Sequence, residues 1–190
     1  MTPDAGIMLL AIARAAIARP LGGTVAAPED AAWLGEPGAT FVTLKKNGTL
    51  RGCIGSLAAR RPLLVDVKSN AVAAAFRDPR FPAVSYAELD EIRVEVSLLS
   101  PMQAIDFTSE DDALSRLRPF EDGVVLEYGL ARGTFLPQVW EDLPDPAKFL
   151  SELKRKAGLP SSFWAQEVRL FRYTVSKWSE TEAATAPTTT

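Results

Sequence analysis

The chain contains no histidine and one cysteine, Cys53, among 190 residues. Without histidine there is no Ser-His-Asp or Cys-His catalytic set, no histidine-ligated metal and no histidine pH switch. A single cysteine excludes an intrachain disulfide, a CxxC redox pair and a cysteine-rich zinc site. The acidic residues show no DxD or ExxH-like spacing, so neither a metal nor a resident cofactor is expected. Any chemistry must come from Cys53, carboxylates, Lys, Arg or Tyr. Long apolar runs are also missing. The longest, Gly6 to Ala13, is cut by Arg14, well short of the ~20 residues that span a bilayer. A secretory signal opens on basic residues, whereas Asp4 precedes this run and the arginines follow it. A cytoplasmic protein with no membrane contact is expected, which suits a free thiol. An excess of one charge is lacking too. Residues 1–95 carry 11 basic and 10 acidic groups, and residues 96–190 carry 10 and 14. Neither half is a polybasic surface, so nucleic acid is not an expected partner.

What is present is a globular chain, 47% apolar and long enough to bury about 70% of its unfolded surface. Thr2-Pro3-Asp4 reads as a helix start, with Thr at the N-cap, Pro at N1 and an acid in the first turn. That helix runs to about Arg19 and stops at Pro20-Leu21-Gly22-Gly23. Phe41 to Lys46 and Thr49 to Leu57 read as strands around Asn47-Gly48, a hairpin signal because a type I′ turn needs positive φ twice. Pro62 opens a helix through Arg77, which ends before Pro79 because the residue preceding a proline leaves the α region. Ser85 and Glu88 form a capping-box pattern, and Arg93 to Leu99 alternates as a half-buried strand. Ser109 caps a short helix. Gly123 to Tyr128 and Ala131 to Leu136 form a second hairpin. Asp145-Pro146 caps a helix ending at Gly158, where Glu152 and Lys156 make an i,i+4 pair. Arg169 to Ser176 is a last strand, and the tail from about Glu180 is too poor in apolar groups to order itself. Helices and strands follow no regular βαβ order, which predicts an α+β fold with antiparallel sheets. Pro101 and the stretch from Gly158 to Ala165 are the candidate boundaries of an inserted subdomain. Residues 1–100 with 166–180 then form the larger subdomain, 101–165 the smaller, and 181–190 a disordered tail.

One segment carries chemistry: Leu50-Arg51-Gly52-Cys53-Ile54-Gly55. Two glycines weaken a strand and require a reason, either a bulge or something close to the backbone. With a two-residue turn, Leu44 faces Arg51 and Val42 faces Cys53. Arg51, Cys53 and Gly55 then share a face with Val42 and Leu44, unless a bulge at either glycine breaks the register. Two readings are open. In one, Gly55 leaves an open floor for a ligand, and Arg51 holds an anion or lowers the thiol pKa. In the other, Cys53 is a buried small hydrophobe and Arg51 a strand-end charge. Spacing assigns no base to Cys53. Asp78 and Arg80, with Phe81 beside them, either line the same site, with Arg80 as an anion clamp, or pair to hold a turn. Arg93, Glu95 and Ser97 read as a solvated strand face. The four tryptophans, Trp33, Trp140, Trp164 and Trp178, read as packing residues.

The run from Phe41 to Gly55 resembles the signature of the AMMECR-one domain family. Further runs agree in the same order: Ala75 to Phe81, Val94 to Leu98, Gly133 to Val139 and Lys156 to Pro160. Within the family the chain is most similar to the bacterial branch called AmmeMemoRadiSam system protein A. The resemblance implies two unequal subdomains, each with an antiparallel sheet and flanking helices, with the Leu50–Gly55 side chains turned into a cleft between them. It implies Leu50, Arg51, Gly52, Cys53, Ile54, Gly55, Asp78, Arg80 and Phe81 as binding residues, with Cys53 the one catalytic candidate. It also implies a Memo-like protein and a radical SAM enzyme as partners, and it delivers no reaction. An accessory component that binds a protein or a bulky substrate is therefore the leading expectation. A cysteine-dependent enzyme using Cys53 with Arg51 is the alternative.

Overall fold

The computed structural model describes residues 3–180. The expected Thr2 cap and the expected disordered tail lie outside the described residues. In chain order the elements are α1 (Pro3–Ala18), β1 (Pro37–Gly38), β2 (Thr40–Lys46), β3 (Thr49–Gly55), β4 (Arg61–Pro62), α2 (Leu63–Phe76) and β5 (Ile92–Leu99). Then come β6 (Gln103–Ile105), α3 (Glu110–Arg116), β7 (Gly123–Tyr128), β8 (Ala131–Phe135), α4 (Pro146–Lys156), β9 (Arg169–Tyr173) and β10 (Val175–Ser179). The α+β class expected from the sequence is what the chain adopts.

The chain divides into two compact units. The first runs up to Leu98 and resumes at Ser176; the second is Leu99–Val175. In the first, a four-stranded sheet has the order β10-β5-β2-β3, with β2 antiparallel to both β3 and β5. A separate pair, β1 with β4, is antiparallel. Alternation puts Val42, Leu44, Val94 and Val96 on one sheet face, all fully buried. They pack in one core with Leu9, Ile12 and Ile17 of α1 and Val67 and Ala71 of α2. At ~25 cal/mol per Å² of apolar surface, this shared core is what holds the two helices on the sheet. Asn47 and Gly48 both take positive φ, 51° and 75°, as the turn between β2 and β3 requires.

In the second unit an antiparallel sheet has the order β6-β9-β7-β8. Leu126 and Leu170 pack with Phe149, Leu150 and Leu153 of α4 and with Trp140. The Trp140 ring stacks on Phe149 at a centroid distance of 3.6 Å, and its Nε1 donates to the carbonyl of Asp122 at 2.7 Å. That satisfies the one polar atom of a fully buried indole. Ser109 and Asp145 cap α3 and α4 as expected, and Gly158 closes α4 with φ 84°.

Three expectations are corrected. The single strand over Arg169 to Ser176 is two strands in two sheets, because Arg169–Tyr173 pairs with β6 and β7 while Val175–Ser179 joins β5. For the same reason the second unit extends to Val175 and not to 165. Finally, Glu152 pairs with Arg155 at 3.0 Å, and Lys156 lies over the Phe135 ring, 4.9 Å from its centroid. An apolar ring within reach competes with an exposed ion pair worth only ~0.3–0.5 kcal/mol.

Candidate functional site

Strand β3 is the edge of the first sheet, and its register differs from expectation. Lys46 pairs with Thr49 and Lys45 with Leu50, but then Leu44 pairs with Gly52, Thr43 with Cys53 and Phe41 with Gly55. Arg51 is thus the extra residue of a β-bulge. A one-residue shift turns every following side chain to the other face. Cys53 therefore shares its face with Thr43 and Phe41, not with Val42 and Leu44, which lie in the core.

Both strand glycines have packing reasons. A Cβ on Gly52 would sit 2.2 Å from the carbonyl oxygen of Ala74 in α2. A Cβ on Gly55 would sit 2.3 Å from the Phe41 ring. The expected open floor at Gly55 is therefore occupied by that ring, which covers the glycine from the neighbouring strand. Ile54 packs against the first core, while Leu50 faces outward, 43% exposed.

The bulge sends Arg51 away from the thiol. Its Nε and Nη2 donate to the two oxygens of Glu88 at 3.1 and 3.2 Å. Arg51 is 9% exposed, and its Nη1 is buried with no partner among the described residues. Glu88 also completes the capping box, accepting from the backbone N–H of Ser85 at 3.1 Å. Arg51 above all, then the Ser85 N–H, lowers the Glu88 pKa from 4.5 to about 2. The folded state thus holds the charged carboxylate more tightly than the unfolded chain does. That stabilisation is complete above pH 4.5 and lost as the pH falls towards 2. In urea denaturation between pH 6 and 2, Glu88→Gln is expected to flatten the wild-type loss of stability over that window.

Asp78 and Arg80 cap the open edge of β3. The backbone N–H of Cys53 donates to Asp78 Oδ2 at 2.9 Å, and its carbonyl accepts from Arg80 Nη2 at 3.2 Å. Arg80 closes the motif on Asp78 through Nε at 2.9 Å and Nη2 at 2.7 Å. Side chains thereby pair the two backbone groups that an edge strand leaves open to a passing strand. The Arg80 guanidinium, against the burial of a carboxylate only 1% exposed, holds Asp78 well below the usual carboxylate range. Of the two sequence readings of this pair, the geometry bears out the second: the pair holds the turn, with the Arg80 guanidinium on Asp78 and on the Cys53 carbonyl. The Phe81 ring lies within reach of both guanidiniums, 6.0 Å from Arg51 Cζ and 5.5 Å from Arg80 Cζ.

Cys53 is half-buried, and its Sγ lies 3.2 Å from the hydroxyl of Thr43. Thr43 in turn pairs across the sheet with Glu95. Glu95, expected on a solvated face, is 8% exposed and held between Lys45 at 2.9 Å and Lys177 at 2.8 Å. Burial raises its pKa, yet the two lysines outweigh burial and leave it below its ordinary value. Cys53, Thr43 and Glu95 thus form a row across three strands. With strands ~4.8 Å apart, the backbones at Cys53 and Glu95 are about 10 Å apart, with Thr43 between them.

A second polar cluster went unread in the sequence. Asp66 of α2, fully buried, accepts from the Thr40 N–H and hydroxyl at 2.8 Å each and from Asn70 Nδ2 at 2.9 Å. Its other oxygen accepts from Ser56 at 2.7 Å and Arg61 Nε at 2.8 Å. Asp66 and Asn70 stand four apart on one helix face, a spacing visible in the sequence, but their partners come from β2 and the segment after β3. Among the described residues no group of three or more Cys, Asp and Glu could hold a metal ion. No helix there is long and apolar enough to cross a membrane.

Comparison with known proteins adds four findings. The AMMECR1 family model matches residues 10–178. A protein of Methanothermobacter thermautotrophicus is 40% identical over 178 residues, covering 91% of this chain and 93% of that protein. One of Thermotoga maritima is 41% identical over 140 residues, 73% and 75% of the two chains. The crystal structure of the uncharacterized protein PH0010 from Pyrococcus horikoshii superposes with a TM-score of 0.79 at 33% identity, covering 95% of this chain and 93% of that one.

Proposed function

The chain belongs to the AMMECR1 family, and from that premise we propose that it is a binding component and not a self-sufficient enzyme. The observation that carries this reading is how the hydrogen bonds of Cys53 are used. Its N–H goes to Asp78, its carbonyl to Arg80, and among the described residues its thiol hydrogen-bonds with the Thr43 hydroxyl alone. An oxyanion site needs a free N–H at the nucleophile, and an activated thiol needs an adjacent base or cation. The N–H is taken, Arg51 is turned to Glu88, and Arg80, the cation beside Cys53, is committed to Asp78 and to the Cys53 carbonyl.

What this region offers is a mixed surface. Leu50 beside Arg51 is 43% exposed, Tyr86 near Glu88 is 69% exposed, and the Arg80 side chain is 54% exposed. Exposed apolar groups beside an arginine are the usual make-up of a protein-docking centre. The likeness to the AmmeMemoRadiSam branch names the partners to try, a Memo-like protein and a radical SAM enzyme. Calorimetry with each purified protein, under reducing and anaerobic conditions, tests the reading. Leu50→Asp is expected to weaken association at least about tenfold, and Cys53→Ala to leave it unchanged. No association of the wild type with either protein overturns the partner reading. Loss in Cys53→Ala with Leu50→Asp intact would favour the cysteine-dependent alternative.

A further inference from the structure

A different part of the first unit holds a hollow of about 630 Å³, within the usual range for small-molecule sites. Its floor is made by α1 and α2, which present Ala15, Ala16 and Val72. These short side chains leave unfilled the space that longer ones would close. Its roof is the irregular segment after Gly22, including Val25 and Ala27. That segment is fastened to α2 by an ion pair at its far end, Glu29 to Lys68 at 2.5 Å.

The polar groups of the hollow are few. Lys68 and Glu29 balance each other. Arg19, the residue after α1, also lines the hollow, and no carboxylate pairs with it among the described residues. A half-open, mostly apolar hollow therefore carries one guanidinium, unpaired among the described residues, at its rim. Such an arrangement complements an apolar body with a single anionic end. We infer that this hollow binds an amphipathic monoanion, an aliphatic carboxylate of medium chain length, with the chain against Ala15, Ala16 and Val72 and the carboxylate at Arg19. None of these residues takes part in the Arg51–Cys53 region, so the inference stands apart from the proposed docking function.

Titration of the ¹⁵N-labelled full chain with octanoate, with 1-octanol and propionate in parallel, is the test. Octanoate is expected to give saturable shifts at Ala15, Ala16, Arg19, Val25 and Val72, with octanol and propionate each binding at least about tenfold more weakly. Ala16→Leu fills the chamber and is expected to abolish the shifts. Arg19→Gln, at an exposed position with no side-chain partner to lose, keeps the test decisive if the leucine variant does not fold. It is expected to weaken octanoate about tenfold while leaving octanol unchanged. Absence of saturable octanoate shifts at these residues overturns the inference, as does equal binding of octanol and octanoate or indifference to Arg19→Gln.

Discussion

Asp66→Ala is expected to cost roughly 3–5 kcal/mol, measured by urea denaturation. The side chain is 1% exposed and collects donors from four residues besides its own: Thr40, Ser56, Arg61 and Asn70. Removing it leaves the Thr40 N–H and the Thr40 hydroxyl without their acceptor in a place water does not reach. Each such orphan costs about 1–3 kcal/mol. The cluster also ties the start of β2, the segment after β3 and the first turns of α2 into one joint. Its loss therefore loosens the helix against the strand that carries the signature. Arg61→Gln gives the contrast. Its side chain is 37% exposed, so water replaces much of what it loses, and Asp66 keeps its other donors. A cost of about 1 kcal/mol is expected there. Equal losses in the two variants would show that the ion pair, and not the buried acceptor, holds the joint.

Gly52→Ala is expected to cost about 3 kcal/mol, again read as a shift in the urea transition. The obstruction, 2.2 Å away, is the backbone oxygen of Ala74. No side-chain rotation relieves it, so α2 must move off the sheet. Gly55→Ala meets a side chain instead, the Phe41 ring at 2.3 Å. This difference supplies an internal control. In a Phe41→Ala background, Gly55→Ala is expected to become nearly neutral, whereas Gly52→Ala keeps its full cost. Rescue of both, or of neither, would show that the glycines serve something other than the packing described. The two variants together separate a strand held close to a helix from a strand kept bare for a ligand.

Strand β3 marks the limit of what is legible in the sequence. The Asn47-Gly48 turn was legible because turn chemistry is local, and the pairing of Lys46 with Thr49 followed from it. One bulge at Arg51 then reversed the faces of everything beyond. The glycine that accompanies the bulge was visible, but not which residue would be the extra one. That choice depends on Glu88, which is 37 residues away from Arg51 in the chain and gives the guanidinium a partner off the strand.

Glu88 illustrates both halves. Its place in the capping box with Ser85 was legible from a three-residue spacing. Its second role, holding Arg51, was not. Glu95 was read as a solvated strand charge because alternation cannot tell a wet face from one crossed by lysines on other strands. Lys177 reaches it from β10, a strand the sequence reading had merged with β9.

By itself the sequence determined the family through its ordered signature runs, the α+β class, most helix starts and stops, and the exclusion of histidine-based and disulfide chemistry. These rest on residue identity and on interactions within about four positions of the chain. Only the tertiary structure decided that Arg51 belongs to Glu88, that Asp78 and Arg80 seal the backbone of Cys53, and that Asp66 is the joint beneath the signature. Each of these is a contact between charged groups far apart in sequence. Charge has no periodicity that announces a distant partner, so the partner is settled by which elements pack together and by the cost of burying any charge left alone.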